Sequence, residues 1–237
     1  MVENVFAFRR MLTRGSSFPS VVETSSGRLL VMKLAGAGQG SRGLATELIA
    51  SNIARLAGLN VPRAEPLLLP DGLPWEVGTD EFYETVQRSV GWNLGVEFIP
   101  DARDLEVADL PSLPVDFLSL LAGVDALLQN VDRTAANLNV LGDAAGGAWA
   151  IDFGACLLID RLVRGAATPR LDLPANHALS GRAPFAKSAQ EVAAGFDASQ
   201  LGGTVAEVPQ PWLRELGLSR AELTARLQEY LRAVLAM

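Results

Sequence analysis

The chain has 237 residues, 49% of them hydrophobic and 20% charged, enough apolar material for one large domain or two lobes. Its formal net charge of -7 argues against a surface built to neutralise nucleic-acid phosphates or anionic lipid. One cysteine, Cys156, excludes an internal disulfide, and a single histidine, His177, leaves no His/Cys zinc cluster or Cys-His nucleophile pair.

The first residues, "MVENVFAFRRMLTRGSS", lack the apolar stretch of a signal peptide, and no apolar run is long enough to span a bilayer. The expectation is a cytoplasmic protein with no nucleic-acid or membrane partner. "NVFAFRR", "SVVET" and "LLVMKL" read as three strands of a meander, joined through "TRGSS" and the turn "SSGR". Glycine at the first bend lets the backbone approach closely. Gly15, Ser16 and Ser17 are therefore candidates to cradle a phosphate with amides and hydroxyls, although such bends in hairpins are mostly only turns.

A Gly-rich connection, "AGAGQGSRG", leads to "LATELIASNIARLAGLNVP", where Leu44, Leu48, Ile53 and Leu56 form one helical stripe closed by Gly58 and Pro62. Glu47 lies beside that stripe. Buried, it needs a cationic partner; at the edge of the stripe it reaches water. From Pro62 to Asp101 the segments "AEPLLLP", "YETVQRS" and "GVEFIP" read as strands that extend the first sheet.

Phe117, Leu120, Leu121, Val124, Leu127 and Leu128 recur at helix spacing and deliver the chain to a polar loop at Asn130 and Asp132. A hairpin follows, "LNVL", "GDAAGG" and "AWAID", ending in Asp152-Phe153-Gly154. Cys156 has apolar neighbours and reads as a small core residue; His177, in the turn-rich "LPANHALSGR", reads as a surface or loop-packing residue. The tail carries "PQPWL" and a helix from Ser219 to about Leu235, opened by a Ser-x-x-Glu capping box, with Leu223, Leu227, Tyr230, Leu231 and Val234 inward.

Kinase-type phosphoryl transfer uses a strand lysine, a helix glutamate that holds it, a loop Asp followed by a metal-ligating Asn, and a second metal-ligating Asp after a hairpin. Lys33, Glu47, Asp132, Asn137 and Asp152 occur in that order, each on the expected type of element. Asp132 is the candidate to accept the proton of an acceptor hydroxyl, and Asn137 and Asp152 offer hard oxygen ligands of the kind Mg²⁺ prefers.

The stretches "VMKLAGAGQGSRGLATELIASNIARLAGLNVP", "WNLGVEFIPDA", "NVDRTAANLNVL", "IDFG" and "PQPWL" resemble the HipA-like kinases, a bacterial branch of the protein-kinase and phosphatidylinositol-kinase-like fold. The resemblance runs from about Gly15 to Trp212. It implies an α+β, two-lobed kinase-like fold: a mostly β N-lobe over residues 1–100, and a helical C-lobe over residues 101–237 carrying the catalytic and metal-binding loops. It also implies ATP with Mg²⁺ or Mn²⁺, and transfer of the γ-phosphoryl group to a Ser/Thr hydroxyl of a protein, autophosphorylation included. Glu97, Phe98 and Ile99 would be the hinge whose backbone meets adenine. The chain departs from the pattern in having "NV" before Asp132, Thr134 where related loops often carry His, and no lysine two residues after Asp132. Any cation at the transferred phosphate must come from elsewhere, Arg133 being one candidate. The chain also starts close to its first strand, so the toxin role of HipA itself is not expected to carry over. A nucleotide-binding scaffold without transfer and a small-molecule kinase remain the alternatives.

Overall fold

In a computed structural model of the chain, the residues described are 2–12, 18–74, 78–170, 172–181, 189–196 and 199–237. The architecture is mixed α+β. Five strands, β1 (Glu3–Met11), β2 (Ser20–Thr24), β3 (Leu29–Lys33), β4 (Ala64–Leu69) and β5 (Gly91–Glu97), close into a barrel in the order β1-β2-β3-β5-β4. The expected meander is its antiparallel first half. Parallel pairing of β1 with β4, Glu3 beside Leu67, completes the closure, so the barrel has no open edge. Its interior holds Val5, Phe8, Val22, Leu30, Met32, Leu67 and Leu69, and side-chain alternation along β3 turns Val31 and Lys33 to the opposite face from Leu30 and Met32.

One expected strand is a helix. "YETVQRS" lies within α2 (Asp80–Arg88) and the turn after it, where Thr79 caps the start by accepting a hydrogen bond from the Phe82 amide. Phe82, Thr85 and Val86 form its buried face, and Phe82 meets Phe8 edge to face at 5.8 Å between ring centres. The segment carries both periods over so few residues that alternation alone suggested a strand; burying Phe82 against the barrel cluster decides for the helix.

Helix α1 (Gly40–Leu56) packs its apolar side into a second and larger core, shared with α3 (Val115–Leu128), α4 (Leu157–Val163), α5 (Ala189–Ala194), α6 (Leu201–Ala206), α7 (Gln210–Leu216) and α8 (Arg220–Leu235). Trp212, from "PQPWL", is among the largest fully buried side chains of the protein. The capping box of α8 forms as expected: Ser219 accepts from the Glu222 amide, and the Glu222 carboxylate accepts from the Ser219 amide at 2.8 Å. The five residues expected on the inner face of α8 are all buried.

After β5 the chain runs through a short strand β6 (Arg103–Asp104) and a 3₁₀ turn into α3. It then forms the polar loop and the hairpin of β7 (Val140–Gly142) and β8 (Ala148–Ala150), which β6 joins to make a small three-stranded sheet. Asp143 shapes the hairpin turn. Its carboxylate accepts from the Ala145 and Gly147 amides and from the Trp149 indole, which holds it below the usual carboxylate range. No helix among the described residues is long and apolar enough to cross a membrane.

Candidate active site

Lys33, Glu47 and Asp152 come from a strand, a helix and the end of a hairpin, and their side chains meet. Lys33 Nζ lies 2.5 Å from Oε1 of Glu47 and 2.9 Å from Oδ1 of Asp152. The side chains of Lys33 and Glu47 are 13% and 5% exposed, whereas that of Asp152 is 40% exposed and is the member open to solvent. Burial opposes the charge on Lys33, but the carboxylates of Glu47 and then Asp152 override it and hold its pKa well above the ordinary value. Glu47 is pushed up to about 7 by burial; Lys33 offsets part of that shift, and the second carboxylate adds to it. Burial also opposes ionisation of Asp152, yet its contact with Lys33 keeps it below the usual carboxylate range.

Asp152 adopts a left-handed backbone, with φ 59°. An L-residue there is strained, and Asp tolerates the region better than most because its short polar side chain finds local partners. The strain is held by two anchors just before it: the Ala150 amide donates to Asn60 O and the Ile151 amide to Asn139 O, both at 2.9 Å. Phe153 beyond it is fully buried.

Asp132 and Asn137 meet across the polar loop, with Asn137 Nδ2 donating to Asp132 Oδ2 at 2.8 Å. Asn139, which sequence reasoning passed over, donates to the same oxygen at 3.3 Å from a left-handed position of its own. One carboxylate oxygen of Asp132 is thus fixed by two amides. Asn137 is exposed, so turning its amide would present the side-chain oxygen to solvent. Asn137 carries a neutral and Asp152 an anionic oxygen donor of the type a hard divalent cation takes.

Three expectations need correction or lie outside the structure described. Arg133 is turned away from solvent. Its side chain is fully buried, with Nε 2.5 Å from Asp125 Oδ2 and Nη1 donating to the carbonyls of Leu138 and Asn139 at 2.9 and 2.6 Å, so no donor edge is left for a phosphate. In the expected hinge, the Glu97 amide donates to Arg63 O at 2.8 Å and the Phe98 amide to Leu29 O at 3.4 Å. Of the three hinge residues, Ile99 alone lacks a backbone acceptor for its amide among the described residues. Gly15, Ser16 and Ser17 fall outside the described residues.

Asp125 was missed altogether. It sits on the buried face of α3, and its carboxylate accepts from Asn130, Arg133 and His177. The signal was available in "LLAGVDALLQN", where an acid falls on an apolar stripe and so demands partners, the argument applied to Glu47. His177 proves to be a buried packing residue. Its Nδ1 accepts from the Leu179 amide at 3.1 Å, which leaves the proton on Nε2, 3.0 Å from Asp125 Oδ2. Cys156 is buried as expected, and burial raises its thiol well above the usual value.

No family model and no curated protein matches the sequence. The structure is similar to that of the Helicobacter pylori proinflammatory kinase CtkA, with a TM-score of 0.60 at 11% identity, covering 100% of this chain and 97% of that chain. It is also matched to the golgi casein kinase, with a TM-score of 0.47 at 11% identity, over 99% of this chain and 72% of that chain. The likeness to the first shows a kinase-like fold.

Proposed function

We propose that the protein is an ATP-dependent kinase of the HipA-like kind, two-lobed, transferring the γ-phosphoryl group of ATP to a Ser/Thr hydroxyl of a protein with Mg²⁺ or Mn²⁺. The observation that carries this reading is the buried Lys33–Glu47 pair meeting Asp152, since three elements distant in sequence converge on the charge pattern phosphoryl transfer needs.

In this reading Lys33 neutralises the α- and β-phosphates, and Glu47 fixes its ammonium in place. Asp132, with one oxygen held by Asn137 and Asn139, takes the proton as the acceptor hydroxyl oxygen bonds to the γ-phosphorus and the bond to the β-phosphate oxygen breaks, releasing ADP. Asn137 and Asp152 are the residues that would hold the divalent cation, which when bound supplies neutralising charge to the phosphates. Adenine would lie along residues 97–99, using carbonyl groups and the Ile99 amide.

The test pairs binding with transfer. Mg·ATP at about a hundred times its dissociation constant stabilises a folded site by roughly 2.7 kcal/mol, on the order of 5 to 10 °C in Tm for a chain of this size. Intact-mass measurement after incubation with Mg·ATP, alone and with candidate acceptor proteins, is expected to show a phosphoryl gain on this chain or on an acceptor. A melt that neither Mg·ATP nor Mn·ATP shifts overturns the reading. A shift without any transfer or ADP release makes the protein a nucleotide-binding scaffold.

A further inference from the structure

We propose that Asp125 is a positioning residue for phosphoryl transfer, holding the Asp132 loop at both ends through Asn130, Arg133 and His177; this rests on the kinase reading above. The carboxylate is fully buried on α3, seven residues before Asp132, and is closed off from solvent. Its reach is indirect but two-sided. Asn130 Nδ2 donates to Asp125 Oδ1 at 2.9 Å while Asn130 Oδ1 accepts from the Asp132 amide at 3.1 Å, so the first link runs from Asp125 to the backbone of Asp132 itself. Arg133 forms the second link. It binds Asp125 through Nε and grips the carbonyls of Leu138 and Asn139, and Asn139 in turn donates to the Asp132 carboxylate.

Two further contacts join other parts of the site to the same carboxylate. The Arg133 guanidinium lies 5.2 Å from the ring centre of Phe153, the neighbour of Asp152, so the loop and the hairpin end share one cation. His177 brings the segment at residues 172–181 against the loop, where the Ala178 amide also donates to Arg133 O at 2.9 Å. Among the described residues no buried side-chain nitrogen or oxygen lacks a hydrogen-bond partner, so the hub is fully satisfied. Fully satisfied buried networks hold one geometry, and a misplacement of about 1 Å at a reacting group can cost on the order of 10² in rate.

A positioning role and a merely structural one separate when the buried charges are removed together. Asp125→Asn leaves Arg133 buried without its counter-charge and is expected to lower both stability and kcat, with KM for Mg·ATP within about threefold of wild type and kcat down by roughly 10 to 100-fold. Asp125→Leu with Arg133→Met takes out both charges and so removes the uncompensated buried cation, while the donors of Asn130 and His177 and the carbonyls of Leu138 and Asn139 lose a partner. The expected result is a Tm above that of Asp125→Asn with kcat still low and KM for Mg·ATP little changed. Recovery of kcat along with Tm overturns the proposal and makes the hub a stability element only. If the double variant does not fold, Asp125→Asn assayed well below its own Tm decides, and an unchanged kcat there overturns the proposal. Wild-type protein that transfers no phosphoryl group to itself or any acceptor overturns both this inference and the kinase reading, whereas active wild type beside an active double variant overturns this inference alone.

Discussion

Lys33 Nζ lies 2.5 Å from Glu47 Oε1, an ion pair between a barrel strand and the helix that follows it, with both side chains almost wholly out of solvent. Asp152 shares the same ammonium at 2.9 Å, so one cation serves two carboxylates. Burial, with the second carboxylate adding to it, pushes the Glu47 pKa up, while the shared ammonium offsets part of that shift.

That pairing predicts coupled losses. Lys33→Met and Glu47→Gln each remove half of one positioned pair, so each is expected to lower phosphoryl transfer, and the double variant to lose less than the two single losses added together. Steady-state transfer rates for the four proteins test it. Strict additivity would mean that Glu47 does not act on the reaction through Lys33.

The raised pKa of Glu47 predicts a pH dependence of stability. Its folded value is pushed up to about 7 from an ordinary 4.5, so the folded state binds the proton more tightly. The stabilisation is fully present below about pH 4.5 and is lost as pH rises through 7, on the order of 3 kcal/mol at its limit. Asp152, with a lowered value, acts with the opposite sign and only in more acid solution, where stability is lost as pH falls. Denaturant unfolding of the ligand-free protein at pH 5 and pH 8, beside Glu47→Gln, measures the difference. Wild type is expected to lose more stability over that interval than the variant; equal losses would remove Glu47 as the source.

Asp132 and Asp152 are expected to fail differently. Asp132→Asn keeps the shape that Asn137 and Asn139 hold, and should leave Mg·ATP binding nearly intact while lowering turnover by roughly 10² to 10⁴. Asp152→Asn removes a charged metal ligand and one carboxylate from Lys33, and should weaken metal-dependent nucleotide binding together with turnover. Calorimetric titration with ATP, with and without Mg²⁺, separates the two. Loss of nucleotide binding in Asp132→Asn, or unchanged metal dependence in Asp152→Asn, would reverse the assignment.

The capping box of α8 gives a prediction confined to stability. Ser219→Ala removes the acceptor for the Glu222 amide and is expected to cost about 1 kcal/mol in unfolding free energy while leaving phosphoryl transfer per folded molecule unchanged. Urea unfolding beside a transfer assay checks both halves.

What the sequence determined by itself is local. The Ser219 and Glu222 box, the inner face of α8, the turn after β7 and the strand that carries Lys33 follow from hydrogen bonds and periodicities spanning a few residues, and they form as read. The order of Lys33, Glu47, Asp132, Asn137 and Asp152 was legible too, because each belongs to an element whose type was clear. Tertiary structure alone decided where the long side chains point. Arg133 looked like a cation for phosphate because no lysine stands two residues after Asp132. Its guanidinium instead turns inward to Asp125, which also takes His177 from 52 residues further on. A buried acid on α3 must find positive charge wherever the fold supplies it, and no local pattern states which arginine that will be. The segment of α2 shows the same limit: a short run compatible with either period became a helix because the barrel offered Phe82 an apolar surface, and burial outweighs propensity over so few residues.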